Sequence, residues 1–139
     1  MQIEKFEGDY NKEKFYSIMG KFFAEPKYKK EMPYLANREG AVWFVAVEND
    51  QVIGFVAVNE ASNIIKLSHD YVVEPHRGKG IYNTLNEKRN EYINRKNKPI
   101  EIAVKEPFLI DYWEKRGFTP SKKAGSYVYL RKEANDGKD

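Results

Sequence analysis

The sequence predicts a mixed α/β domain in the order helix, helix, three strands, helix, strand, helix, strand. Three observations predict it. Apolar residues recur at helical period near the start, the period then switches to continuous β-branched and aromatic runs, and a glycine-bearing basic loop joins one such run to a second periodic helix.

The first helix rests on Phe15, Ile18, Met19, Phe22 and Phe23, spaced as one apolar stripe. Asp9 or Asn11 can cap it, and Pro26 lies just beyond its end. A second helical stretch falls within 27–37, where Pro33 makes it broken or short. Val42 to Val47 and Val52 to Val58, separated by Asn49 and Asp50, read as an antiparallel hairpin, and a third strand follows over 64–73. These runs are apolar at nearly every position, so both faces of the sheet should be covered by helices. Ile81, Leu85, Tyr92 and Ile93 mark the next helix, which ends near Pro99. Residues 100–104 form a strand and 107–116 a short helix, closed by Gly117 where a left-handed cap would sit. A last strand covers 126–130, and the charged run 131–139 reads as disordered.

Composition narrows the function. The chain has 139 residues, 41% of them hydrophobic, and no cysteine, which excludes disulfide scaffolds and thiolate-held zinc or iron–sulfur sites. One core of this size buries about two-thirds of the unfolded surface. No apolar stretch approaches the roughly 20 residues of a membrane span, and Met1 leads into Gln2, Ile3, Glu4 and Lys5 without a basic or apolar leader region. A cytoplasmic protein without membrane contact is expected. The net charge is +3; over 77–98 there are seven basic residues and two acids, which reads first as a solvated helix face.

The chemistry concentrates after Val73, where Glu74, Pro75, His76, Arg77, Gly78, Lys79 and Gly80 lead into the helix. A glycine turn between strand and helix exposes successive backbone N–H groups at the positive end of the helix dipole, where an anion can sit. Arg77 and Lys79 add charge. The spacing is neither a Walker A loop nor a dinucleotide fingerprint, because Gly80 follows Lys79 and Asn83 stands where the last glycine would be.

With its flanks, this loop resembles motif A of the GCN5-related N-acetyltransferase (GNAT) superfamily: arginine or glutamine, two residues, glycine, one residue, then glycine or alanine. Here that string is Arg77, Gly78, Lys79, Gly80, Ile81 and Tyr82. Val52 to Phe55 is similar to the family's usual third strand, and Trp113 to Phe118 looks like its tyrosine-Glu-Lys-x-Gly-Phe segment. The resemblance implies a GNAT-like mixed, mostly antiparallel central sheet flanked by helices. It also implies one acyltransferase domain over 1–132, with 133–139 as a tail. Acetyl-CoA would be the acyl donor, its pyrophosphate on the backbone N–H groups of Gly78, Lys79, Gly80, Ile81 and Tyr82. Its pantetheine would pair like an extra strand with Tyr71, Val72 and Val73.

Two departures matter. Tyr82 replaces a small residue, although only its N–H is needed. Trp113 stands where the family's thiolate-protonating tyrosine falls, and an indole N–H cannot serve as that acid; Glu106 falls near the usual asparagine. If the third strand alternates regularly, Leu67, His69, Tyr71 and Val73 share one face, and His69 is the candidate general base. A bulge there would swap the faces and promote Asp70. Tyr112, beside the missing acid, is the other catalytic candidate. His76 reads as loop packing, Glu74 as exposed, and Trp43, Phe44, Phe55, Tyr34 and Phe108 as core or acceptor-pocket residues.

The leading function is an N-acetyltransferase moving acetyl from acetyl-CoA to an amine of a small molecule or protein by direct attack in a ternary complex. Lys27, Lys29, Lys30, Arg38, Lys122 and Lys123, on the segments that would line the acceptor side in this family, lean towards an anionic acceptor. A CoA-binding sensor with little transfer activity is the alternative. A nucleic-acid modifier is a weaker third, since only Tyr82 and Tyr92 interleave the basic run. No metal is implied, and a monomer or homodimer is expected.

Overall fold

Local sequence accounts for most of the elements. Lys12–Ala24 forms α1, and the Asn11 side-chain oxygen accepts from the Lys14 backbone N–H at 3.1 Å, satisfying a first-turn donor. Its Phe15, Met19 and Phe22 are fully buried. Pro26 opens α2 (Pro26–Glu31) at a position that needs no N–H, and this helix ends before Pro33. Strands β2 (Val42–Glu48) and β3 (Gln51–Glu60) meet through Asn49 and Asp50, both left-handed at φ 52° and 60°, which suits the twist of a two-residue hairpin.

The expected strand, loop, helix and strand follow as β4 (Ile65–Val72), a 3-10 turn (Glu74–His76), α3 (Ile81–Ile93) and β5 (Ile100–Val104). Beyond α4 (Pro107–Glu114), Gly117 takes φ 93°. Two further strands have no apolar run to announce them. Gln2–Phe6 forms β1 against β2, and Thr119–Ala124 forms β6 against the last strand, β7 (Tyr127–Lys132). Every residue of β6 is exposed; its backbone pairing needs only a neighbour's unpaired edge. Arg131 and Lys132, read from sequence as disordered, pair in β7 with Glu101 and Ile100 of β5.

This computed structural model describes residues 1–134, so the tail expected over 133–139 lies outside the described residues from 135 onward. The sheet order is β1-β2-β3-β4-β5-β7-β6, antiparallel throughout except for β4 and β5. Helices cover both faces. On one, Leu85 and Ile93 of α3 and Trp113 of α4 meet Val56, Val58 and Leu130. On the other, the α1 stripe and Tyr28 of α2 meet Trp43, Val45 and Phe55. Each large side chain so buried contributes about 1.5–3 kcal/mol. Among the described residues, no helix is long and apolar enough to cross a membrane.

Candidate active site

Strands β4 and β5 share only three register pairs: Ile65 with Ile100, Lys66 with Glu101, and Leu67 with Ile102. Beyond them the strands part. On the β4 side there is a bulge at this point. Ser68 pairs with Ala57 and Tyr71 with Phe55, so His69 and Asp70 stand opposite Val56 alone, and His69 takes φ 57°. This is the bulged alternative to regular alternation that the sequence left open. Leu67 packs on the α3 side, while His69 and Tyr71 contact aromatic rings on the α1 side. Asp70 turns to α3. The one extra residue reverses the strand's phase. A cavity of about 370 Å³ occupies the opening, walled by 68–72 of β4, 102–104 of β5, Tyr82 and Trp113.

The bulge is held from both faces. The His69 imidazole lies flat on the Trp43 indole, with ring centres 5.5 Å and planes 7° apart. Trp43 Nε1 donates to Asn37 Oδ1 at 2.9 Å, and Asn37 Nδ2 donates to the Tyr10 hydroxyl at 2.7 Å. Burial holds His69 below the ordinary imidazole pKa, against the opposing charge of Asp70, so the ring is neutral at neutral pH. On the α3 face, Arg89 Nη1 and Nη2 donate to the two Asp70 oxygens at 2.6 and 2.8 Å. Tyr82 donates its hydroxyl to the same carboxylate. Burial, then the Asp70 charge, push the Tyr82 hydroxyl well above its ordinary pKa, which keeps it protonated. Both Asp70 oxygens are thus engaged by donors from α3.

At the end of β4 the backbone opens in two places. The Val73 N–H donates to the Ile53 carbonyl at 3.0 Å, which turns Tyr71 and Val73 towards β3 and leaves the Val72 backbone facing the cavity. Further on, Gly78 and Gly80 are left-handed at φ 79° and 81°, and Gly80 at the start of α3 offers no side-chain cap. The first-turn N–H groups of α3 therefore point outward unsatisfied. A Cβ at either glycine would meet nothing within 4 Å, so the space above the loop is clear and its residues fit an anionic group. The Arg77 side chain does not join them. Its Nε donates to the Val72 carbonyl at 2.7 Å and its Nη2 meets Glu31 at 3.2 Å. Glu31 also accepts from the Tyr71 hydroxyl at 3.0 Å, and burial together with that bond raises the Tyr71 pKa to about 12.

His69 thus reaches the cavity and Tyr112 does not. Trp113 takes the inward position of α4 at 1% exposure, its Nε1 buried without a partner. Tyr112, about 100° round the helix, faces α3 instead. Its hydroxyl accepts from Asn86 at 3.2 Å and donates to Asn83 at 3.3 Å, under the Arg116 guanidinium. Trp43, Phe44 and Phe55 are core, whereas Tyr34 and Phe108 are 71% and 68% exposed; Tyr34 meets Tyr127 at the cavity wall. Glu74 is exposed, His76 is half-buried in the 3-10 turn and Glu106 lines the cavity. None of the six lysines and arginines expected to favour an anionic acceptor lines it. The basic run 77–98 is not one stripe either, because Arg89 is buried and Lys96 and Lys98 pair with Glu60 at 3.4 and 2.6 Å.

Sequence reasoning missed Glu31, Arg89 and Tyr127. Only Arg89 left a signal: it lies four residues from both Leu85 and Ile93, a charge on the apolar stripe.

The glycine loop between β4 and α3 sits where the resemblance to the GNAT superfamily places it. Residues 6–127 match the profile of the acetyltransferase (GNAT) domain, and the chain belongs to that family of acyl-CoA N-acyltransferases. Solved structures share the fold. ElaA of Escherichia coli superposes with a TM-score of 0.75 at 14% identity, over 95% of this chain and 99% of that one. An acyl-CoA N-acyltransferase from Pseudomonas aeruginosa gives 0.75 at 12%, over 94% and 99%. The PaiA N-acetyltransferase of Thermoplasma acidophilum, solved in complex with coenzyme A, gives 0.62 at 18%, over 96% and 99%. No curated protein matches the chain in sequence.

Proposed function

We propose that this chain moves the acetyl group of acetyl-CoA directly to an amine, borne on a small molecule or a protein, in a ternary complex. One observation carries the reading: the outward Val72 edge and a neutral imidazole share one opening in the sheet, and the left-handed glycine loop lies between Arg77 and Tyr82, which line that opening. Acetyl-CoA supplies the electrophilic thioester carbonyl. The N–H groups of Gly78, Lys79, Gly80, Ile81 and Tyr82 hold its pyrophosphate, as a helix N-terminus holds any phosphate. Within the stretch Tyr71, Val72 and Val73, the outward Val72 backbone offers a strand edge to the pantetheine, with Arg77 yielding the Val72 carbonyl. His69 takes the proton that an ammonium must lose before it can attack. The chain has no cysteine and no thiol intermediate is invoked.

A second reading, a CoA-binding module with slow transfer, is favoured by Trp113, which leaves the cavity wall without a phenol at the place of the family's acid. Thermal-shift titration with acetyl-CoA, CoA and ATP, followed by thiol release with a panel of amines, separates the two. Both CoA species should raise the melting temperature by mass action while ATP does not, and an amine should then release thiol. Tight CoA binding with no release across the panel supports the module. No shift with either CoA species at saturation overturns both.

A further inference from the structure

Arg89 carries a charge for which the proposed reaction has no use. It stands on the apolar face of α3, fully buried, with donors to Asp70, to the Ala57 carbonyl at 3.1 Å and to Asn86 Oδ1 at 3.1 Å. A buried ion pair is a poor way to stabilise a core, because desolvation offsets most of the attraction and an apolar side chain of similar volume often serves as well. Here the cost is higher still, since Arg89 Nε is buried with no acceptor. What arginine supplies that leucine or methionine would not is a rigid fork matched to a carboxylate. That fork grips the residue immediately after the left-handed His69.

Strand β4 has two available phases. With regular alternation after Leu67, His69 would face α3 and Asp70 would face Trp43. With the bulge, every residue from 69 to 72 changes face, and His69 reaches Trp43. The sequence of 68–70 (Ser, His, Asp) has no apolar pattern to decide between them. A left-handed non-glycine residue is strained and persists only where its surroundings over-determine it. Trp43 supplies one anchor, and the Arg89 fork on the opposite face of the sheet supplies the other.

We propose that Arg89 is a positioning residue: by fixing Asp70 towards α3, with the Tyr82 hydroxyl as a further point of attachment, it locks the bulge that presents His69 to the cavity. Arg89 touches neither the cavity's proposed substrates nor His69 itself. It selects the strand phase in which the imidazole enters the cavity from the Trp43 side.

The test compares wild type with Arg89→Met, Arg89→Lys and Asp70→Asn by proton NMR of the histidines and by steady-state kinetics with acetyl-CoA. The chain has two histidines, so the His69 ring protons are resolvable, with His76 as the internal reference. Lying over the Trp43 indole, they should be shifted upfield in wild type. In Arg89→Met and Asp70→Asn they should return to the ordinary position while those of His76 stay. Turnover should drop by about 100-fold, the scale of an ångström-sized misplacement, and the KM for acetyl-CoA should rise, because the Val72 edge changes face together with His69. Arg89→Lys, which keeps a cation but not the fork, should recover part of both. Folded Arg89→Met or Asp70→Asn whose His69 resonances keep their upfield wild-type positions would overturn the proposal, as would an unchanged kcat. If Arg89→Met does not fold, Asp70→Asn and Arg89→Lys decide the matter. The kinetic arm rests on the acetyltransferase reading and the NMR arm does not, so an inactive wild type would sink that reading and leave this one to the resonances.

Discussion

Replacing Gly80 separates what the loop binds from what it does for the fold. Gly80 sits at φ 81° and ψ 7° at the head of α3, where an alanine costs about 1–2 kcal/mol of backbone strain. Its Cβ would meet no atom within 4 Å, so no packing cost adds to this. In a chain of 139 residues, each kcal/mol moves the melting temperature by about 3–5 °C. Gly80→Ala should therefore melt roughly 3–10 °C lower. Gly80→Asp carries a similar backbone cost but also sets a carboxylate among the outward N–H groups. Against a phosphate charge about 5 Å away, an effective dielectric near 20 gives repulsion of about 3 kcal/mol. Screening at physiological salt roughly halves that. Two phosphate charges then leave about 3 kcal/mol, on the order of a 100-fold loss of affinity. Calorimetric titration with acetyl-CoA measures it, and the loss in Gly80→Asp should shrink at higher salt. A folded Gly80→Asp that binds acetyl-CoA as tightly as wild type would refute the loop's role and the cofactor placement built on it.

Two further outcomes follow from the same geometry. A Cβ on Gly54 would lie 3.0 Å from the Tyr71 carbonyl oxygen and 3.3 Å from both Leu85 Cδ1 and Val72 Cγ2; Gly54→Ala should cost about 1–3 kcal/mol in urea unfolding and weaken acetyl-CoA binding by displacing the Val72 edge. An unchanged unfolding midpoint would show that the strand yields freely. Burial holds the folded His69 pKa below its unfolded value, so the stability contributed by its neutral form is complete above about pH 6.5 and is lost as pH falls through the folded pKa. His69→Asn keeps a residue that tolerates the left-handed backbone and should lack this acid-side decline, while in wild type the acid limb of kcat/KM should fall below about pH 6.5. Parallel stability curves for the two proteins between about pH 5 and 7 would count against a buried neutral imidazole.

The amino-acid order alone determined whatever rests on neighbours in the chain. The α1 stripe is a matter of period, the Asn49 and Asp50 turn and the Gly117 cap are matters of allowed φ, and the glycine loop before α3 carries its outward N–H groups in its own backbone. These were legible because each is complete within a few residues. Strands β1 and β6 were not, since a polar segment becomes a strand when a sheet edge accepts it. The cavity side was decided by contacts between distant segments. One extra residue in β4, measured against β3, reversed the faces of His69 and Asp70, and its strain is offset by Trp43 from β2 and Arg89 from α3. Trp113 displaced Tyr112 from the cavity because only one of two adjacent helical residues can face inward. Local rules set which conformations each segment can adopt. Where two are nearly equal in energy, as in β4, the side chains packed against it from both faces of the sheet choose between them.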